Sequence, residues 1–145
     1  MRLEGPEATE ALGRRLAAQL RAGDVVALFG TLGAGKTTLA RGILAGLGHE
    51  GEVASPTFPI VIPYETLAIP VWHVDLYRIE DPAELAELAL DEALDDGALI
   101  VEWPERMGDA LWPHSLRLAL QREGEGARAL TAERPAAWEK RWPPR

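Results

Sequence analysis

The sequence predicts an α/β fold in which a single mixed sheet, mostly parallel in its core with antiparallel strands at its edges, is flanked by helices. Three observations predict it. A short apolar run at 25–29 leads into a glycine-rich loop and then a helical pattern. A second apolar run, 98–101, is continuous, as strands are when both faces of a parallel sheet are covered. Shorter segments that alternate apolar and polar residues are typical of antiparallel strands.

Periodicity and punctuation predict the remaining elements. Leucine recurs every fourth residue after Pro6, which predicts the first helix. Asp81-Pro82-Ala83-Glu84 has the spacing of a capping box and predicts a helix start. The last two strands, joined by a glycine-containing turn, are expected to form a half-exposed hairpin at a sheet edge. The predicted helices are 7–21, 36–47 and 82–88 with a short turn at 91–94, and the predicted strands are 24–29, 58–64, 69–76, 98–101, 115–121 and 127–131.

Composition limits the classes of function. The 145 residues carry a formal net charge of −8 and contain no cysteine. We expect one cytoplasmic domain spanning 1–145, without a membrane segment, that ends in a basic, tryptophan-containing tail at 132–145. Affinity for nucleic acid comes from neutralising phosphates with Lys and Arg, so direct binding of RNA or DNA is not expected. The indoles of the tail are expected to fold onto the body, with a base-stacking platform as the alternative.

Negative charge is concentrated in the segment 80–96. This segment contains eight carboxylates and no basic residue. Two interpretations stay open. It is either a solvated helix face or a docking surface for a basic patch on a partner protein.

The glycine-rich loop has the sequence of a phosphate loop. Residues 30–37 read Gly-Thr-Leu-Gly-Ala-Gly-Lys-Thr and fit G-x-x-x-x-G-K-[ST] between a strand and a helix. Glycines allow the backbone to turn its N–H groups inward, and the helix dipole favours an anion at the same place. Lys36 can reach the β- and γ-phosphates of a nucleotide, and the Thr37 hydroxyl can bind magnesium. The loop therefore predicts the P-loop NTPase class, with a ligand-free glycine turn as the alternative.

Acidic side chains mark two other predicted strands. Glu102 ends the continuous apolar run, where ligands bind in α/β sheets. A carboxylate at this position can hold magnesium directly or through water, and a chance surface acid is the alternative. His73 and Asp75 lie two residues apart on one strand and therefore point to the same face. Polar groups on an otherwise apolar strand suggest a function, and a structural histidine is the alternative.

The segment Ser55-Pro56-Thr57-Phe58 follows the phosphate-loop helix. Pro56 favours an extended conformation at Ser55. Thr57 then lies where many nucleotide switches place a group that senses the γ-phosphate. An ordinary Ser-Pro turn is the alternative.

With these motifs in hand, the chain resembles the bacterial TsaE (YjeE) family, small ATPases of tRNA threonylcarbamoyladenosine biosynthesis. The resemblance covers about residues 5–131. A phosphate loop alone occurs in many families, so the later blocks make the resemblance specific. In family order the blocks are the phosphate loop with Arg41-Gly42, Ser55-Pro56-Thr57-Phe58, His73-x-Asp75-Leu76-Tyr77-Arg78 and Val101-Glu102-Trp103.

The resemblance implies a protein that binds ATP and Mg²⁺ and hydrolyses ATP slowly on its own. It implies TsaB and TsaD homologues as partners, a complex that the ATP cycle resets between turnovers, and contact with tRNA only through that complex. Asp75 and Glu102 are the implied catalytic residues, and Thr37 and Glu102 the implied Mg²⁺ ligands. The implied ATP-binding residues are Thr9, Leu32, Gly33, Ala34, Gly35, Lys36, Thr37 and Thr38, and the residues implied to line the site or report its state are Ser55, Thr57, His73 and Trp103.

Two other functions share the phosphate loop. A small-molecule kinase would transfer the phosphoryl group to an acceptor, but the sequence has no obvious lid insertion. A non-catalytic switch would bind a partner only when loaded with nucleotide. Phosphate release into water separates the ATPase from both.

Overall fold

The predicted strands and helices form close to their predicted positions in the computed structural model, which describes residues 1–31, 33–53, 56 and 60–144. The strands are β1 (Arg2–Glu4), β2 (Val25–Phe29), β3 (Val61–Tyr64), β4 (Val71–Asp75), β5 (Ala98–Glu102), β6 (Leu116–Glu123) and β7 (Ala127–Glu133), and the helices are α1 (Gly5–Ala17), α2 (Lys36–Gly46), α3 (Pro82–Glu87) and α4 (Leu90–Ala93), with 3₁₀ turns at Pro104–Ala110 and Ala136–Trp138. The capping box that predicts α3 is present, with Asp81 accepting a hydrogen bond from the Ala83 N–H at 2.9 Å.

These strands share one mixed sheet in the order β1-β7-β6-β2-β5-β4-β3. The centre is parallel, because β2 pairs in parallel with both β5 and β6, and β4 pairs in parallel with β5. The outer pairs β3–β4, β6–β7 and β1–β7 are antiparallel. The predicted architecture is confirmed, and it places the phosphate loop, which follows β2, in the middle of the sheet.

The two faces of the sheet carry separate apolar cores. The face covered by α1 and α2 packs leucines of both helices against alternate residues of β2 and β5, such as Val26 and Ile100. The opposite face packs Ala27 and Val101 against the segments that follow β4 and β5. Because β2 and β5 are covered on both sides, they read as continuous apolar runs in the sequence.

Helices α1 and α2 approach each other unusually closely. A Cβ built on Gly42 would lie 2.2 Å from the Glu10 carbonyl oxygen, and one on Gly13 would lie 2.5 Å from that of Leu39. Both glycines therefore serve a close backbone approach. This contact fixes α2, and with it the phosphate loop, on the sheet.

The expectation that the hairpin of β6 and β7 lies at a sheet edge is wrong. Strand β6 lies inside the sheet beside β2, and β7 is covered by β1, which pairs Leu3 with Arg128. The sequence gives no sign of β1, because three residues are too few to show an alternating pattern. The hairpin therefore stands beside the phosphate loop instead of at the periphery.

The C-terminal segment folds onto the body, as the favoured interpretation predicted. Strand β7 extends to Glu133, two residues into the predicted tail. Beyond it Trp138 is fully buried and Trp142 nearly so, which excludes them as a platform for stacking bases. Within the ranges described above, no helix is long and apolar enough to cross a membrane.

Candidate nucleotide-binding site

The phosphate loop leads directly into α2. Gly35 is the N-cap residue and has a φ of 105°, a left-handed conformation that glycine adopts without strain. The first backbone N–H groups of a helix have no partner within the helix. We call the N–H groups of residues 35–38 the amide cradle. Together with the helix dipole, this cradle is suited to an anion.

The ammonium group of Lys36 is buried beside this cradle. Its Nζ lies 4.1 Å from the ring centroid of Trp103, and among the described residues it has no hydrogen-bond partner. Burial lowers the pKa of Lys36, while the negative charges of Glu102, Asp75 and Glu105 act in the opposite direction. A buried ammonium without a hydrogen-bond acceptor is costly, and an anionic ligand would remove that cost.

The two strand-end carboxylates lie side by side. In the register of β4 and β5, Asp75 is opposite Glu102, and Glu102 is in turn level with Leu28 of β2, two residues before the loop. The Oε2 atom of Glu102 lies 2.6 Å from Nε2 of His73, and both side chains are buried. The sequence separately predicts a functional role for all three polar residues, and the sheet brings them together at one edge.

An aromatic pair closes this side of the site. Trp103 has a left-handed conformation, with φ 57° and ψ 47°, which is uncommon for a bulky residue. This turn places the indole under the Lys36 ammonium and 4.9 Å from the ring of Tyr77. The backbone N–H of Tyr77 donates to Oδ1 of Asp75 at 2.9 Å. The contacts thus connect the aromatic pair to Lys36 and to Asp75.

A cleft of about 110 Å³ opens on the other side of the loop. Thr9 of α1 lies in its wall, is almost fully buried and donates to the Gly5 carbonyl at 3.4 Å. This cleft adjoins the amide cradle through Gly35 and Thr38. The residues that line it are Gly5, Pro6, Thr9, Gly35, Thr38, Gly126 and Arg128.

Sequence reasoning missed two arginines of the β6–β7 hairpin. Arg128 donates to the loop carbonyls of Ala34 and Gly33, and Arg122 donates to Gly33. The only signal in the sequence is that both flank the hairpin turn, and the hairpin was not expected to be near the loop.

Some of the remaining predicted site residues lie in the loop and in α2, and others fall outside the described part of the chain. Ala34 is buried within the loop, and Thr37 follows Lys36 in the first turn of α2. Leu32, Ser55 and Thr57 lie outside the described residues. Across the described ranges, no three His, Asp or Glu side chains are grouped to hold a metal by themselves.

The mixed sheet, the phosphate loop between β2 and α2, and the carboxylates on the neighbouring strands define a P-loop nucleotide-binding protein of the NTPase class. The family model for "Threonylcarbamoyl adenosine biosynthesis protein TsaE" matches residues 3–130. The chain belongs to the TsaE family. The resemblance inferred from the motifs is confirmed.

Relatives and a solved structure agree with this assignment. A protein of Streptomyces coelicolor named tRNA threonylcarbamoyladenosine biosynthesis protein TsaE is 49% identical over 114 residues, covering 77% of each chain. A protein of the same name from Bacillus subtilis is 40% identical over 131 residues, covering 90% of this chain and 82% of its own. The crystal structure of YdiB from Bacillus subtilis superposes with a TM-score of 0.77 at 33% identity, covering 91% of this chain and 82% of that chain.

Proposed function

We propose that this protein binds ATP with Mg²⁺ and hydrolyses it, as the ATPase component of threonylcarbamoyladenosine biosynthesis on tRNA. One observation carries the proposal. The buried Lys36 ammonium stands at the start of α2 without a hydrogen-bond acceptor among the described residues, beside the strand-end carboxylates Asp75 and Glu102. The terminal phosphates of a nucleotide would supply the missing acceptor.

The side-chain oxygens at this edge of the sheet are suitable ligands for Mg²⁺. Magnesium prefers oxygen ligands and is commonly held by one or two carboxylates or hydroxyls together with phosphate oxygens. Thr37 and Glu102 would hold it, and His73 would keep Glu102 in place through the 2.6 Å contact. When bound, the ion would neutralise charge on the phosphates.

The protein residues divide the remaining tasks. The amide cradle and Lys36 bind and orient the phosphates, which is most of what phosphoryl transfer asks of a protein. Asp75 orients the attacking water. Thr9 and the neighbouring cleft receive the nucleoside. Leu32, Ser55 and Thr57 keep the roles that the family resemblance implies, as loop and switch residues.

The proposed partners are homologues of TsaB and TsaD. The net charge of −8 does not favour contact with a phosphate backbone, so tRNA would be bound by the partners. In this proposal the ATP cycle resets the complex between rounds of modification.

Phosphate release from Mg²⁺–ATP, measured with and without TsaB and TsaD homologues, tests the proposal. We expect slow release by the protein alone and faster release with both partners. Transfer to a small-molecule acceptor would indicate a kinase. Nucleotide binding without release, even with both partners, would indicate a non-catalytic switch, and the absence of any thermal shift with ATP would refute nucleotide binding itself.

A further inference from the structure

Two arginines of the β6–β7 hairpin hold the outer side of the phosphate loop. Arg128 Nε donates to the Ala34 carbonyl at 2.9 Å, and its Nη2 donates to the Gly33 carbonyl at 3.1 Å. Arg122 Nε donates to the same Gly33 carbonyl at 3.2 Å. The third nitrogen of Arg128, Nη1, donates to the Ala127 carbonyl at 2.9 Å. The guanidinium of Arg128 is therefore fixed between its own strand and the loop.

These bonds determine which way the loop peptides face. A trans peptide is planar, so its carbonyl and the following N–H point in opposite directions. Because the Ala34 carbonyl faces Arg128, the Gly35 N–H, which belongs to the amide cradle, faces away from the hairpin. A Cβ at Gly33 would lie 2.5 Å from Nη2 of Arg122 and would displace that guanidinium, and the φ of 78° at Gly33 is itself unfavourable for other residues.

The pairing of the two arginines is itself unfavourable for the hairpin. Arg122 is directly opposite Arg128 in the β6–β7 register. Like charges directly opposite each other in antiparallel strands are destabilising. The Gly33 carbonyl, which accepts from both arginines, offsets this repulsion. The arrangement therefore stabilises the loop at some cost to the hairpin.

The hairpin also connects the loop to the nucleoside cleft. Arg128 lines that cleft, and its strand pairs with β1, placing Arg128 opposite Leu3. The Gly5 N–H then donates to the Gly126 carbonyl at 2.8 Å. Through these contacts the loop, the hairpin and the start of α1 form one connected wall.

We propose that Arg128, assisted by Arg122, is a positioning residue that holds the phosphate loop in its anion-binding conformation before the nucleotide arrives. It acts through the peptide groups of the loop. The inference rests on the nucleotide binding proposed above. Lysine cannot fully replace Arg128, because a point charge on a flexible chain cannot hold two carbonyls as a planar fork does.

Amide exchange in the nucleotide-free protein tests the effect on the loop directly. The Ala34 N–H donates to the Thr31 carbonyl at 3.1 Å, so its exchange rate reports whether the loop turn is kept. By NMR, we expect faster exchange at Ala34 in Arg128→Gln and no change in Arg117→Gln. Arg117 is the matched control, since it lies on the same hairpin at the end of β6 away from the loop. Unchanged exchange at Ala34 in Arg128→Gln would overturn the proposal.

Calorimetric titration with ADP and Mg²⁺ gives the consequence for binding. Losing two charge-assisted hydrogen bonds should weaken the affinity of Arg128→Gln about tenfold or more, with Arg128→Lys intermediate. Arg122→Gln removes one bond and should lose about two- to threefold, and Arg117→Gln should lose nothing. A lower melting temperature with unchanged affinity would reduce Arg128 to a structural role.

The two proposals can fail separately. If the unaltered protein does not bind ADP, the proposed function fails, and exchange at Ala34 alone decides the role of Arg128. If the unaltered protein binds ADP and Arg128→Gln binds it equally well, only the positioning role fails. Should Arg128→Gln not fold, as judged by circular dichroism, Arg128→Lys and Arg122→Gln decide in its place.

Discussion

At the scale of single residues, the site is defined by a buried ammonium for which the described residues provide no hydrogen-bond acceptor. The Lys36 ammonium is 5% exposed and rests against the indole of Trp103. A cation–π contact compensates part of the cost of burial, but it supplies no hydrogen-bond acceptor. We expect the bound phosphates to supply this acceptor.

Removing the ammonium should weaken nucleotide binding. A hydrogen bond to a charged group contributes about 1.5–3 kcal/mol, so Lys36→Ala should bind ADP with Mg²⁺ about tenfold or more weakly in a calorimetric titration. The chain has one other lysine, the exposed Lys140, and Lys140→Ala is the control. Equal affinities in the two variants would contradict the role given to Lys36.

Removing the Asp75 carboxylate should separate binding from turnover. If Asp75 orients water, Asp75→Ala keeps most of its affinity for ADP and loses most of its phosphate release. Titration and a phosphate assay on the same preparation measure both, with the exposed Asp95→Ala as control. A parallel loss of binding and release would instead make Asp75 a ligand or a structural residue.

At the scale of elements, the position of the loop depends on how α2 packs on α1. The two helices meet through glycines, and the Gly42 position leaves no space for a methyl group against the Glu10 carbonyl. The motif Arg41-Gly42 was visible in the sequence. The reason for a glycine at position 42 is visible only in the packing of α2 on α1, since nothing local to α2 requires glycine there.

A methyl group at Gly42 should therefore destabilise the protein. Alanine would normally improve a helix interior by about 1 kcal/mol relative to glycine, but here its Cβ would lie 2.2 Å from a backbone oxygen. We expect the clash to exceed the gain, at about 1–3 kcal/mol for an overpacked contact. Chemical denaturation of Gly42→Ala measures it. Arg41 is exposed on the same helix and is the control, since Arg41→Ala should change stability by less than about 0.5 kcal/mol. A Gly42→Ala variant as stable as the original protein would show that the two helices can move apart.

At the scale of the whole molecule, the phosphate loop and the buried Asp24–Arg141 ion pair lie at opposite ends of β2. Just before β2, Asp24 accepts two hydrogen bonds from Arg141, at 2.6 and 3.0 Å, and both side chains are buried. The Arg141 guanidinium also lies 3.9 Å from the Trp138 ring centroid and donates to the Gln19 carbonyl at 2.9 Å. The C-terminal segment thus anchors the sheet on the side away from the loop.

Breaking this pair should affect stability and leave the nucleotide site intact. Removing one partner of a buried pair costs about 3–5 kcal/mol, because the Asp24 carboxylate would stay buried without a counter-charge and keep only the hydrogen bond from the Arg21 N–H at 2.6 Å. Arg141→Ala should lower the free energy of unfolding by that order and keep its affinity for ADP when folded. Chemical denaturation measures the change in stability, and titration of the folded variant measures its affinity for ADP. Lys140→Ala, at the exposed neighbouring position, is the control. A large loss of affinity in folded Arg141→Ala would show that the two ends of the sheet are coupled.

The sequence by itself determined the features whose chemistry lies within a few consecutive residues. The loop at 30–37, the strand-end Glu102 and the capping box at Asp81 each need particular residue types at fixed short spacing, so they are readable without a structure. Covered parallel strands are equally visible, because burial on both faces forces apolar side chains throughout. These features predict the fold class and a nucleotide-binding loop, and together with the blocks at 55–58 and 73–78 they carry the family resemblance.

The tertiary structure alone decided what depends on contacts between distant parts of the chain. Arg128 meets Ala34 across 94 residues, and His73 meets Glu102 across 29. The three-residue strand β1 forms only by pairing with β7, and the parallel pairing of β6 with β2 places the hairpin beside the loop instead of at the expected periphery. Pairings of this kind leave no local signature, since the energy that selects them comes from the assembled sheet and not from any short segment.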